Sequence, residues 1–167
     1  MKQIILPIIG VVIFISLVGL FTQKVQNGKI SFPNNKTSVL SQQSEVKIND
    51  LVIPVEIAKT ETQRRTGLSN MDKLPEGEGM LFEFAQKDVQ PPFWMKDMSF
   101  AIDILWVNDG EIVQIHKDVQ PPTPNTPDEK LILYAPNQPI DYVLEVNAGF
   151  TEENRIIVGD VVNISPL

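Results

Sequence analysis

From Glu45 onward, apolar residues recur in short alternating runs, each closed by Gly, Pro, Asn or Asp. No other feature constrains the fold of this 167-residue chain as tightly. A period of two places successive side chains on opposite faces of a strand, so these runs predict a sheet. The windows are EVKIND (45–50), LVIPVEIA (51–58), MLFEFA (80–85), AIDILWV (101–107), EIVQIHK (111–117), YVLEVN (142–147) and VVNIS (161–165). Pro54 lacks an amide proton and points to an edge or a bulge. Asn108-Asp109-Gly110 has the composition of a tight hairpin turn.

Two stretches break the period. In TETQRRTGL (60–68), Thr60 can cap a short helix, Gln63 stands where a capping box needs it, and Gly67 can end it in the left-handed conformation. AGFTEENRI (148–156) predicts a second short helix, with Gly149 before it and Thr151 as N-cap. The expected class is therefore α+β and β-rich: a compact small barrel or sandwich of about seven strands with two short helices. KDVQPP occurs at 87–92 and again at 117–122, but the flanks differ. Two polyproline-like loops on one rim explain this better than a duplicated unit. The second opens a long segment to about residue 139 that contains Pro121, Pro122, Pro124, Pro127, Pro136 and Pro139. Loops of that length in compact domains commonly form lids or binding rims.

The other end of the chain is of a different kind. Residues 4–21, IILPIIGVVIFISLVGLF, carry no charge. At 1.5 Å per residue they reach roughly 27 Å, enough for a thin bilayer core. The alternatives are a cleaved signal peptide and an uncleaved anchor; no Ala precedes Ala58 to make a favourable cleavage site. Residues 1–21 are read as a membrane anchor or signal segment, 22–44 as a flexible polar linker and 45–167 as one β-rich domain. The expected partner of the first segment is the membrane, and the domain is expected to be extracytoplasmic. Four of the 14 basic residues and none of the 21 acidic ones precede Glu45, so the domain holds ten basic residues and a net charge of −11. Such a charge repels phosphate backbones and argues against nucleic acid.

Chemistry-bearing residues are few. The chain has no Cys and a single His, His116, which sits on the polar face of its strand by alternation. That composition supplies neither a nucleophile triad nor zinc ligands, and no metal or cofactor is expected. Asp103 and Glu145 stand among apolar residues within strands, where an ionised carboxylate needs a partner or a shifted pKa. Arg64, Arg65 and Lys96 are candidate partners, unless both acids alternate outward to water. Trp94 and Lys96, in PPFWMKDM (91–98), suit a sugar, an aromatic group or a peptide edge. The alternative is a buried Trp94 with a structural Lys96–Asp103 pair.

The run RRTGLSNMDKLPEGEGMLFEF, followed by FWMKDMSFAIDILWVNDGEIVQI, YVLEVNAGF and IIVGDVV, resembles the domain of unknown function 192 family over nearly all of residues 51–164. The matching positions are Arg64, Gly67 and Leu68; Gly79 to Phe82; Trp94 to Met98; Ile102 to Ile104; and Tyr142 to Glu145 with Ala148 and Gly149. Asp97 and Met98 replace an Asn-Thr pair, Met71 stands where a second Arg is common, and the loop cysteines frequent in the family are absent. The resemblance implies a compact β-rich fold that often follows an export signal or anchor, and it implies no activity.

Together these observations favour a noncatalytic binding or accessory module for a small molecule, glycan or protein. Its expected site is Trp94, Lys96, Asp103, Arg64 and Glu145. A hydrolase or lyase using Asp103 and Glu145 as acid and base, with Lys96 stabilising negative charge, is the alternative.

Overall fold

The computed structural model describes residues 44–164. The expected anchor (1–21) and all but the last residue of the linker (22–44) lie outside the described residues. Seven strands form one mixed sheet, curled into a half-barrel, in the order β5-β4-β6-β3-β2-β1-β7. They are β1 (Ser44–Ile48), β2 (Leu51–Ala58), β3 (Gly79–Glu83), β4 (Ile102–Asn108), β5 (Glu111–Val119), β6 (Tyr142–Asn147) and β7 (Val162–Ile164). Only β2 and β3 run parallel, and α1 (Glu61–Thr66) lies in their crossover. The edges approach at one end, where Glu111 bridges Val161 and the Ile112 amide donates to Asp160.

Local sequence explains most element boundaries. The Thr60 side chain accepts from the Gln63 amide at 3.1 Å and the Gln63 side chain accepts from the Thr60 amide at 2.9 Å, so α1 opens on a reciprocal capping box. Gly67 ends it at φ 48°, but with ψ −132° rather than the left-handed helical value. Asp109 and Gly110, at φ 47° and 76°, form the two-residue turn between β4 and β5. Pro54 sits opposite Glu45 of β1, before the β2–β3 ladder starts at Val55, so β2 is still an edge on its other side there. α2 (Phe150–Glu153) occupies the second helical window, but its N-cap is Gly149 at φ 85°. Thr151 is thus inside the helix, and its hydroxyl serves another purpose described below.

Alternation divides the core in two. Ile53, Val55, Leu81, Leu105, Leu144 and Val146 pack on one face of the sheet. Met80, Phe82, Ile102, Ile104, Trp106 and Val143 pack on the other, where the segments after α1 and around Met95 cover them. Both faces of β3, β4 and β6 are therefore buried, which is why these strands read as almost continuous apolar runs. Two bulges interrupt the β4–β5 ladder. One adds Val113 between the partners of Val107 and Trp106, so Val113 joins the Trp106 face instead of following Ile115. The other places Lys117 and Asp118 opposite Asp103 alone, with Asp118 at φ 51°.

Candidate functional site

Asp103 and Glu145 belong to neighbouring strands, and the register decides what they can do together. Asp103 lies opposite Val146, and Glu145 lies opposite Ile104. Directly paired residues share a face and adjacent ones do not, so the two carboxylates project to opposite sides of the sheet. They do not form an acid/base pair.

Asp103 is fully buried and is a structural clasp. It accepts from the Asp118 amide at 2.9 Å, the Thr151 amide at 3.0 Å and the Thr151 hydroxyl at 2.6 Å, with the Gly149 amide at 3.4 Å. One carboxylate thereby fixes the β5 bulge and caps the first turn of α2 from outside the helix. The expected Lys96–Asp103 pair does not form, because the Lys96 ammonium reaches Asp128 in the proline-rich loop at 2.5 Å. This contact, principally its hydrogen bond, raises the Lys96 pKa.

Glu145 is different. It is only 5% exposed, with Met80 and Ile104 as its cross-strand neighbours. Its side chain makes no hydrogen bond or ion pair among the described residues, and burial pushes its pKa up to about 8. Above it opens a cavity of about 360 Å³ to which β3, α1, the segment after α1 and the 91–98 stretch all contribute. Phe82, Phe84, Phe93, Trp94 and Met98 provide apolar lining, while Glu61, Arg64 and Arg65 bring charge from α1. Trp94 is 40% exposed, an aromatic face open to solvent.

The lining is held rigidly. Arg64 donates to the Lys59 and Glu83 carbonyls and lies with its guanidinium carbon 5.5 Å from the centre of the Phe84 ring. Gly67 lets the end of α1 descend onto Phe82, since a Cβ there would sit 3.3 Å from that ring. PPFWMKDM is an irregular crossing of the sheet face, not a strand. The Phe93 and Tyr134 amides exchange hydrogen bonds with each other's carbonyls at 2.7 and 2.8 Å, and the Met95 side chain plugs the core. At its far end Asp97 has φ 57°, and its carbonyl accepts from the Asn70 amide at 2.9 Å. Asp, like Asn, tolerates that backbone region, so the departure from the family's usual Asn preserves the turn.

Of the five residues expected from sequence, Trp94, Arg64 and Glu145 line one cavity, and Lys96 and Asp103 are not among its lining. Phe84 and Phe93 were not singled out, although the alternation of MLFEF puts Phe82 and Phe84 on one face. The two KDVQPP copies each carry Asp at positive φ, 57° at Asp88 and 51° at Asp118. Pro91 and Pro92 line the Glu145 cavity, and Pro121 and Pro122 line a second hollow, with Met95 common to both. His116 is half-buried, and its Nδ1 accepts from the Trp106 indole at 2.9 Å. Burial lowers its pKa. Among the described residues, no group of three or more His, Asp or Glu side chains is placed to hold a metal ion.

A seven-stranded half-barrel of this kind has known counterparts. The chain belongs to DUF192, the family described as "Uncharacterized ACR", whose model matches residues 44–164. A solved structure from Sinorhizobium meliloti 1021, described as a candidate transcription regulator, is similar at TM-score 0.65 and 27% identity. That likeness covers 74% of this chain and 95% of the other. A protein of unknown function from Novosphingobium aromaticivorans DSM 12444 is similar at TM-score 0.63 and 26% identity, over 71% of this chain and 83% of that one. No curated protein matches.

Proposed function

We propose that the domain is a noncatalytic binding module whose ligand occupies the cavity above Glu145, carried outside the membrane on the apolar segment 4–21. The observation that carries this reading is the buried Glu145 carboxyl, without a side-chain hydrogen bond or ion pair among the described residues, at the floor of a cavity edged by Trp94 and Arg64. An unpaired polar group in an apolar setting costs free energy, and a ligand that completes its bonding recovers that cost. Several aromatic and apolar walls with a few polar groups are the usual make-up of a small-molecule site. Binding is favoured over turnover because Asp103, the second acid of a hydrolytic mechanism, faces the other side of the sheet.

The description of the Sinorhizobium protein does not carry over to DNA binding here. A domain with a net charge of −11 lacks the electrostatic attraction that such binding requires. The test is a fluorinated-fragment screen by NMR on the full-length protein. Fragments with an aromatic or branched apolar body are expected to bind, and Trp94→Ala is expected to weaken them about tenfold or more. Fragment binding untouched by Trp94→Ala, or no binding at all, would overturn the reading.

A further inference from the structure

The Glu145 cavity combines a carboxyl that has no partner among the described residues with the rings of Phe82, Phe93 and Trp94. Phe82 and Phe93 meet nearly edge to face, with centroids 4.9 Å apart and planes at 77°, so they form a corner and not a flat wall. Corners of aromatic rings backed by a carboxylate attract organic cations, through the negative faces of the rings and through direct ion pairing. One cation already lies over a ring of the lining: the Arg64 guanidinium over Phe84. Long-range attraction works in the same direction, because the domain carries a net charge of −11. Besides Glu145, the lining carries the positive charges of Arg64 and Arg65 and the negative charge of Glu61. An entering cation is therefore best accommodated if it brings its own anion for those two side chains.

We propose that the cavity takes a zwitterionic organic ammonium ligand, with its cationic head against Glu145 among Phe82, Phe93 and Trp94 and its anionic end at Arg64 and Arg65. The assignment rests on the cavity being a binding site and specifies what enters it. The charged groups around Glu145 are Glu61, Arg64 and Arg65, all from α1; β3, β4 and the 91–98 stretch contribute apolar lining. A cation selects the ionised carboxylate, so its affinity falls as Glu145 takes up a proton.

The test uses three probes on the full-length protein by calorimetric titration: glycine betaine, choline, and 3,3-dimethylbutan-1-ol, the uncharged isostere of choline. The expected order is betaine above choline, with choline at least tenfold above the alcohol, the loss typical of a missing charge-assisted contact. Choline affinity should rise about tenfold from pH 6 to pH 7, below the Glu145 midpoint of about 8. Glu145→Gln should remove both the preference for charge and the pH dependence. Alcohol binding equal to choline, or charge preference that survives Glu145→Gln, overturns the ligand assignment. If the fluorinated fragments bind in a Trp94-dependent manner while none of the three probes does, the assignment fails and the binding reading stands. If neither set binds, both fail.

Discussion

Replacing Glu145 with Gln isolates the energetic consequence of burying that carboxyl. Burial moves its pKa from the ordinary 4.5 to about 8 in the folded protein. Between those two values the unfolded chain has released the proton and the folded one still holds it. Stability therefore falls as pH rises: the contribution is fully present below pH 4.5 and lost once pH passes about 8. At ~1.4 kcal/mol per pH unit, the loss from pH 5 to pH 8 is about 4 kcal/mol. Gln has nearly the same shape and no proton to lose, so its stability lacks this slope. Chemical denaturation of both proteins at pH 5, 6, 7 and 8 gives the difference directly, and other titrating groups cancel in it. The Gln variant should gain on the parent steadily, by about 4 kcal/mol over the range. A difference constant to within about 1 kcal/mol would mean that the Glu145 carboxyl is hydrated or paired, and the account of the cavity floor would be wrong.

Three other outcomes follow from contacts elsewhere. Asp103→Ala strands the amides of Asp118 and Thr151 and the Thr151 hydroxyl; denaturation should show a loss of roughly 3–5 kcal/mol, and a loss below about 1 kcal/mol would refute the clasp. Lys96→Ala should leave fragment affinity within about twofold, since its ammonium goes to Asp128 and not to the cavity; an NMR titration decides this. His116 has a lowered pKa because of burial, so the unfolded state takes up its proton first and stability falls as pH drops below about 6.5. His116→Asn, whose side-chain oxygen can still accept from Trp106, should lack that acid loss in thermal unfolding at pH 5 and 7.

The strands and helices were legible because each is written locally. Short apolar runs closed by turn residues mark all seven strands, and Thr60 with Gln63 marks α1. The candidate cavity was partly legible: Trp94, Arg64 and Glu145 each stood out as a polar or aromatic residue in an unusual local setting. What could not be read was pairing between segments. Asp103 and Glu145 look alike within their own strands, and only the β4–β6 register sends them to opposite faces. Lys96 finds Asp128 across 32 residues, through a loop whose path no local pattern specifies. Phe84 and Phe93 join the cavity only because the 91–98 stretch folds back over β3. Thr151 had the composition of an N-cap, but Asp103 on a distant strand supplied the capping acceptor and left Gly149 at the helix start.

The most direct test of the central claim is a pH titration of the Glu145 side-chain carboxyl carbon by NMR, with and without a fragment that binds the cavity. The account predicts a midpoint near 8 in the free protein and a displaced midpoint once the cavity is filled. A midpoint in the ordinary carboxylate range, unmoved by the fragment, would contradict it.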